Sequence, residues 1–223
     1  NRFKGGSYGN DSGWRIGNGL AAIDNAIAAA NPSWSLTMFG TNDISNWNAD
    51  SFETNLERFI QINIDEGIVP VLSTIPPRTG YDEKVAQANT VIRRVAQKMN
   101  VPLADLHGLF MELHPNDWSS VLLGDGVHPS HSYGSGDLSD EALRNDGYNI
   151  RSVLTLDIAE KLKRIVFENG QPDGVQTPIL VVSSATHPYK TMSIGLNAAF
   201  QISHDSGPAP QSYSWVLDQS PYT

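Results

Sequence analysis

Cysteine is absent from all 223 residues, which excludes disulfides, thiolate nucleophiles and metal sites ligated through sulfur. Charge is scarce too: only 17% of residues are charged, and 15 Lys and Arg face 24 Asp and Glu for a formal net charge of -9. No cluster of basic residues interrupts that excess, so the positive stripe that a nucleic-acid surface needs is missing. Long apolar runs are also missing, and none approaches the roughly 20 residues that cross a bilayer as a helix. The chain opens at Asn1-Arg2-Phe3-Lys4 without an initiator Met or a signal peptide, and it closes at Ser220-Pro221-Tyr222-Thr223 in what reads as mid-domain. Both ends are expected to be cut. What is present is a globular composition, with 39% hydrophobic residues, in a length that suits one substantial α/β domain and a fragment of a second.

Residues 1–15 are rich in Gly, Ser and Asn and read as loop. Ile16, Leu20, Ile23, Ile27 and Ala30 then recur at helical spacing until Asn31-Pro32 stops them. Residues 34–39 form an apolar strand. A helix over 51–66 places Phe52, Leu56, Phe59, Ile60 and Ile64 on one face, and Gly67 ends it. Strands at 68–73 and 101–106 flank a helix over 85–99. Strand alternating with helix in this way predicts a parallel, doubly wound sheet in three layers. A long helix is expected from Gly147 to Glu168, then a linker over 169–178 built on Asn169-Gly170-Gln171-Pro172. Short β-like runs at 179–182, 198–202 and 213–216 follow.

Two motifs carry the chemistry. Gly40-Thr41-Asn42-Asp43 leaves the carboxyl end of the first strand, which is where open α/β sheets bind ligands. Far downstream, Asp125-Gly126-Val127-His128-Pro129 sets a carboxylate three positions before an imidazole in a loop bounded by Gly and Pro. Neutral imidazole accepts a proton near neutral pH, and a carboxylate can orient it. Taken singly, each motif also reads as an ordinary turn. A metal reading of Asp125, His128 and His131, with His107 and His114 nearby, is the weaker one, because that loop has no helical register to converge the rings.

In order and context, the two motifs resemble the Gly-x-Asn-Asp and Asp-x-x-His blocks of the SGNH (GDSL-type) ester hydrolases, over about residues 13–167. The resemblance implies a flavodoxin-like α/β fold with His128 as base and Asp125 as its orienting carboxylate. It also makes Asn42 an oxyanion donor, with Gly13 a second donor through its backbone N–H and Gly9 as a fallback. Asp43 is expected to brace the loop. The implied reaction is serine-dependent hydrolysis through an acyl-enzyme, with an O-acetylated carbohydrate as the expected substrate, and it needs no cofactor or metal.

The family's nucleophile follows a buried strand in a Gly-Asp-Ser turn. Asp11-Ser12-Gly13 has similar letters, but only Phe3 and Tyr8 are large apolar residues before it, so no buried strand leads into Ser12. The first strand and its serine are therefore expected upstream of Asn1, and this polypeptide alone is expected to be inert.

The region after the linker bears a weak resemblance to the opening of a bacterial immunoglobulin-like module. The expected organisation is a hydrolase domain over 1–168, a linker over 169–178 and the start of a β-sandwich over 179–223. That arrangement suggests a secreted or cell-envelope bacterial protein. The rival reading is a non-catalytic carbohydrate-binding or adhesion protein that kept the fold without the serine.

Overall fold

Local signals at the ends of the first elements set the frame of the sheet. In the computed structural model, which describes residues 11–168 and the strands Leu180–Val182 and Ile194–Leu196, helix α1 (Ile16–Ala30) stops where Asn31 turns left-handed at φ 43°. Strand β1 (Trp34–Thr37) follows, then a 3-10 turn (Asp43–Asn46) and α2 (Ala49–Asp65). The side chain of Asn48 caps α2 by accepting from the Ser51 N–H at 2.9 Å. β2 (Val69–Ser73), α3 (Asp82–Met99) and β3 (Leu103–Ala104) complete a parallel sheet in the order β1-β2-β3. Leu36 pairs with Val71 and Leu72 with Leu103. Every residue of β2 is buried, as a central parallel strand requires.

Side-chain alternation along β1 puts helices on both faces. Ser35 donates to Asn63 Oδ1 of α2 at 2.9 Å, and the Phe39 ring beyond the strand meets Phe59 of α2 edge-on at 5.5 Å. Leu36 and Met38 face the other way, toward Arg151, Leu154 and Thr155 of α7 (Gly147–Leu162) across a cavity of about 40 Å³. The core between these layers includes Leu56, Ile60, Val71, Leu72, Ile92 and Val95, all at most 1% exposed.

Two features differ from expectation. The strand read over 101–106 pairs only at Leu103–Ala104, because Asp105 turns the chain into α4 (Leu106–Leu113). Its carboxylate accepts from the Gly108 N–H at 3.0 Å, Thr74 Oγ1 at 2.8 Å and Arg93 at 2.9 Å. Short helices α5 (Trp118–Val121) and α6 (Ala142–Asn145) follow, and α7 ends in a π-helical turn (Lys163–Phe167).

Second, the strands lie in chain order, so the described sheet winds in one direction only. β1 stands at its edge, with no strand beyond it among the described residues. Further on, β4 (Leu180–Val182) pairs antiparallel with β5 (Ile194–Leu196). The linker over 169–178 and the β-like runs at 198–202 and 213–216 lie outside the described residues.

Candidate active site

A cleft of about 760 Å³ opens at the carboxyl end of β1 and continues between that strand and α1. Gly13, Asn42 and His128 all line it, so the structure brings both motifs to one place. Trp14, Tyr148 and Arg151, which sequence reasoning did not single out, line it too. Tyr148 and Arg151 belong to the first turns of α7, and only the packing of that helix on the sheet brings them there.

Gly40 (φ 128°) turns the chain out of β1, and Asp43 then ties the loop down. Its Oδ2 accepts from the Gly40 N–H at 3.0 Å and its Oδ1 from the Ile16 N–H at 3.1 Å, at the start of α1. Burial pushes the Asp43 carboxyl up, and the hydrogen bonds from Ile16 and Gly40 oppose it. Asn42 Nδ2 donates to the Trp14 carbonyl at 3.0 Å, which links the loop to the neighbour of Gly13. The second N–H of that amide has no acceptor among the described residues. Gly13 sits at φ 75° with open space around it.

The second motif forms a tight loop. Leu123 bridges Pro129, Gly124 N–H donates to the His128 carbonyl at 2.8 Å, and Ser130 N–H donates to the Leu122 carbonyl at 2.7 Å. Within it Asp125 Oδ1 accepts from the backbone N–H groups of Val127 (3.0 Å) and His128 (2.8 Å), while Oδ2 meets His128 Nδ1 at 2.7 Å. These bonds, first that of the His128 backbone and then that of its ring, hold the Asp125 carboxyl well below the usual carboxylate range. An ionised carboxylate can only accept, so the neutral imidazole keeps its proton on Nδ1. Nε2 is left with a free lone pair. Both side chains stand open, His128 at 67% and Asp125 at 58% exposed.

The loop is fixed from below by α7. Gly147 N–H donates to Ser130 Oγ at 2.9 Å and Tyr148 N–H to the Ser130 carbonyl at 3.1 Å. Buried Asp146 caps the helix through the Asn149 N–H at 2.9 Å.

Among the described residues no three His, Asp or Glu side chains converge as metal ligands. His131 instead packs edge-on against Tyr148 at 6.0 Å and meets Ser135 Oγ at 3.3 Å. Ser12 lines the cleft as well, but its described bond is from its N–H to Asp11 Oδ1 at 2.8 Å, and none joins its hydroxyl to His128. No described helix is long and apolar enough to cross a membrane.

Among solved structures, the chain is similar to the lipase/acylhydrolase from Enterococcus faecalis, with 21% identity over 73% of this chain and 75% of that one, at a TM-score of 0.52. It is also similar to a GDSL-like lipase from Bacteroides thetaiotaomicron, with 18% identity over 67% and 73% of the two chains and a TM-score of 0.55. For an acetylxylan esterase from Geobacillus stearothermophilus the identity is 21% over 53% of this chain and 62% of that one, with a TM-score of 0.49. Likeness at this identity shows a shared fold. No curated protein matches. The profile of the GDSL-like Lipase/Acylhydrolase family matches residues 9–132, which hold both motifs, and the chain belongs to that family, as a hydrolase of the SGNH/GDSL type.

Proposed function

We propose that this chain supplies the base, its orienting carboxylate and two oxyanion donors of a serine esterase, and that the nucleophilic serine comes from sequence upstream of Asn1. The observation that carries the reading is the Asp125–His128 pair at 2.7 Å on the cleft that also holds Asn42. In the first half-reaction His128 Nε2 takes the serine proton as Oγ attacks the ester carbonyl. The Asn42 amide and the Gly13 N–H donate to the oxyanion. The tetrahedral adduct collapses, the alcohol leaves with the proton from Nε2, and an acyl-serine remains. Water then repeats the sequence and releases the acid.

The open edge of β1 and the exposure of His128 support an upstream strand as the missing wall of the cleft. An O-acetylated carbohydrate is the proposed substrate class. The family resemblance suggests it, and Trp14 and Tyr148 on the cleft offer aromatic faces to a sugar ring.

The test uses the chain joined to its upstream sequence and an activated acetyl ester. Asp125→Asn should lower kcat on the order of 10³- to 10⁴-fold with KM nearly unchanged, because it disturbs the tautomer and orientation of the base. His128→Ala should be at least as damaging. An unchanged kcat in either variant would refute these roles.

A further inference from the structure

The two half-sites sit on loops far apart in sequence, and one short segment touches both. Residues 76–79 leave the carboxyl end of β2 on a rigid base. Pro76 and Pro77 are buried and have fixed φ angles. The preceding Ile75 is gripped by buried Asn89 of α3, which accepts from its N–H at 2.8 Å and donates to its carbonyl at 3.1 Å.

From that base two arms extend. Arg78 Nη1 donates to the carbonyl of Thr41, next to Asn42, at 2.7 Å, and lies 3.5 Å from Ser45 Oγ on the same loop. Its guanidinium is held over the Tyr81 ring at 4.2 Å, and its Nε is buried without a partner among the described residues. An arginine loses solvation in such a place, so the bond to Thr41 is not that of a loose surface side chain. The other arm is Thr79, whose N–H donates to the carbonyl of Gly126 at 2.9 Å, inside the Asp125–His128 loop. Gly126 is at φ 78°, and a Cβ there would meet Thr79 Oγ1 at 2.9 Å. The two segments are in close contact.

We propose that residues 76–79 form a bracket that sets Asn42 against His128, with Arg78 as its positioning residue. This rests on the site reading above, since it concerns the same pair of loops. Arg78 touches no reacting atom in this scheme. It acts by holding the Thr41 carbonyl, and a misplacement of about 1 Å in an oxyanion donor can cost about 100-fold in rate.

Hydrogen–deuterium exchange on the 223-residue chain tests the bracket without needing activity. Arg78→Ala should speed exchange by about tenfold or more in 40–46, the loop that its side chain holds, with amides of 124–128, β2 and α3 unchanged. Arg78→Lys, which can still donate to Thr41, should recover part of the protection. Exchange in 40–46 within about twofold of the parent would overturn the proposal, and so would acceleration spread over the whole chain. The kinetic arm uses the chain joined to its upstream sequence. There Arg78→Ala should lower kcat about 10- to 100-fold with KM within about threefold, whereas an unchanged kcat would overturn the positioning role. If that parent chain fails to hydrolyse any acetyl ester, the esterase reading falls, and the exchange result still decides the bracket.

Discussion

At the scale of single residues, Asp125 is the most constrained group of the site. Three donors converge on one carboxylate and hold it ionised far into acid. A group whose folded pKa is lowered keeps its contribution above its ordinary value and loses it only as pH falls through the folded value. Asp125 therefore stays charged throughout the range in which imidazoles titrate, around pH 6.5. The carboxyl carbon resonance of Asp125, followed by NMR down to about pH 3, should thus show no protonation step near the ordinary carboxylate value. A protonation step at about pH 4 would contradict the hydrogen-bonding scheme. The same scale explains why Asp43 is a brace. Both its oxygens are occupied by backbone N–H groups, one at Gly40 and one at Ile16, so it holds the Asn42 loop to α1.

At the scale of elements, α7 is what places His128, the proposed base. Its first residue, Gly147, lies against the loop that carries His128: a Cβ there would fall 2.4 Å from the Leu122 carbonyl oxygen and 2.9 Å from Pro129 Cβ. Gly147→Ala must push loop and helix apart, at a cost of about 1–3 kcal/mol in stability, read as a shift in the urea midpoint. Ser130 and Asp146 are the anchors on either side, so the His128 loop should move with the helix. A midpoint within error of the parent would show that the contact relaxes freely.

Elements with a strong local code were legible from the sequence. α1 and α2 carry apolar residues at helical spacing and have clear stops at Asn31 and Gly67, and the helix read over 85–99 falls within α3. The segment 101–106 was misread in part because Val101-Pro102-Leu103-Ala104 is apolar and continues into Leu106. What turns it into a helix is Asp105, whose partners Thr74 and Arg93 lie 31 and 12 positions away. Asn42, Asp125 and His128 were legible as motifs, because each sits within a few residues of its own turn. Arg78 was not, since its partner Thr41 is 37 positions away and nothing local marks it.

At the scale of the whole molecule, the sheet explains the proposed division of labour. Among the described residues β1 stands at the edge of the sheet, and the cleft runs along it from the site. A parallel strand docked there would gain a ladder of backbone hydrogen bonds and cover apolar residues of β1 and α1. Its carboxyl end would arrive beside Asn42 and His128. The central claim is thus that the reactive serine lies on that strand, and a fluorophosphonate that captures activated serines tests it most directly. The measurement is the site of the adduct, read by peptide mass spectrometry, on the chain with and without its upstream sequence. The account predicts stoichiometric labelling of a serine upstream of Asn1 in the longer chain and none in the 223-residue chain. Labelling of Ser12 in the 223-residue chain, abolished by Ser12→Ala, would contradict it.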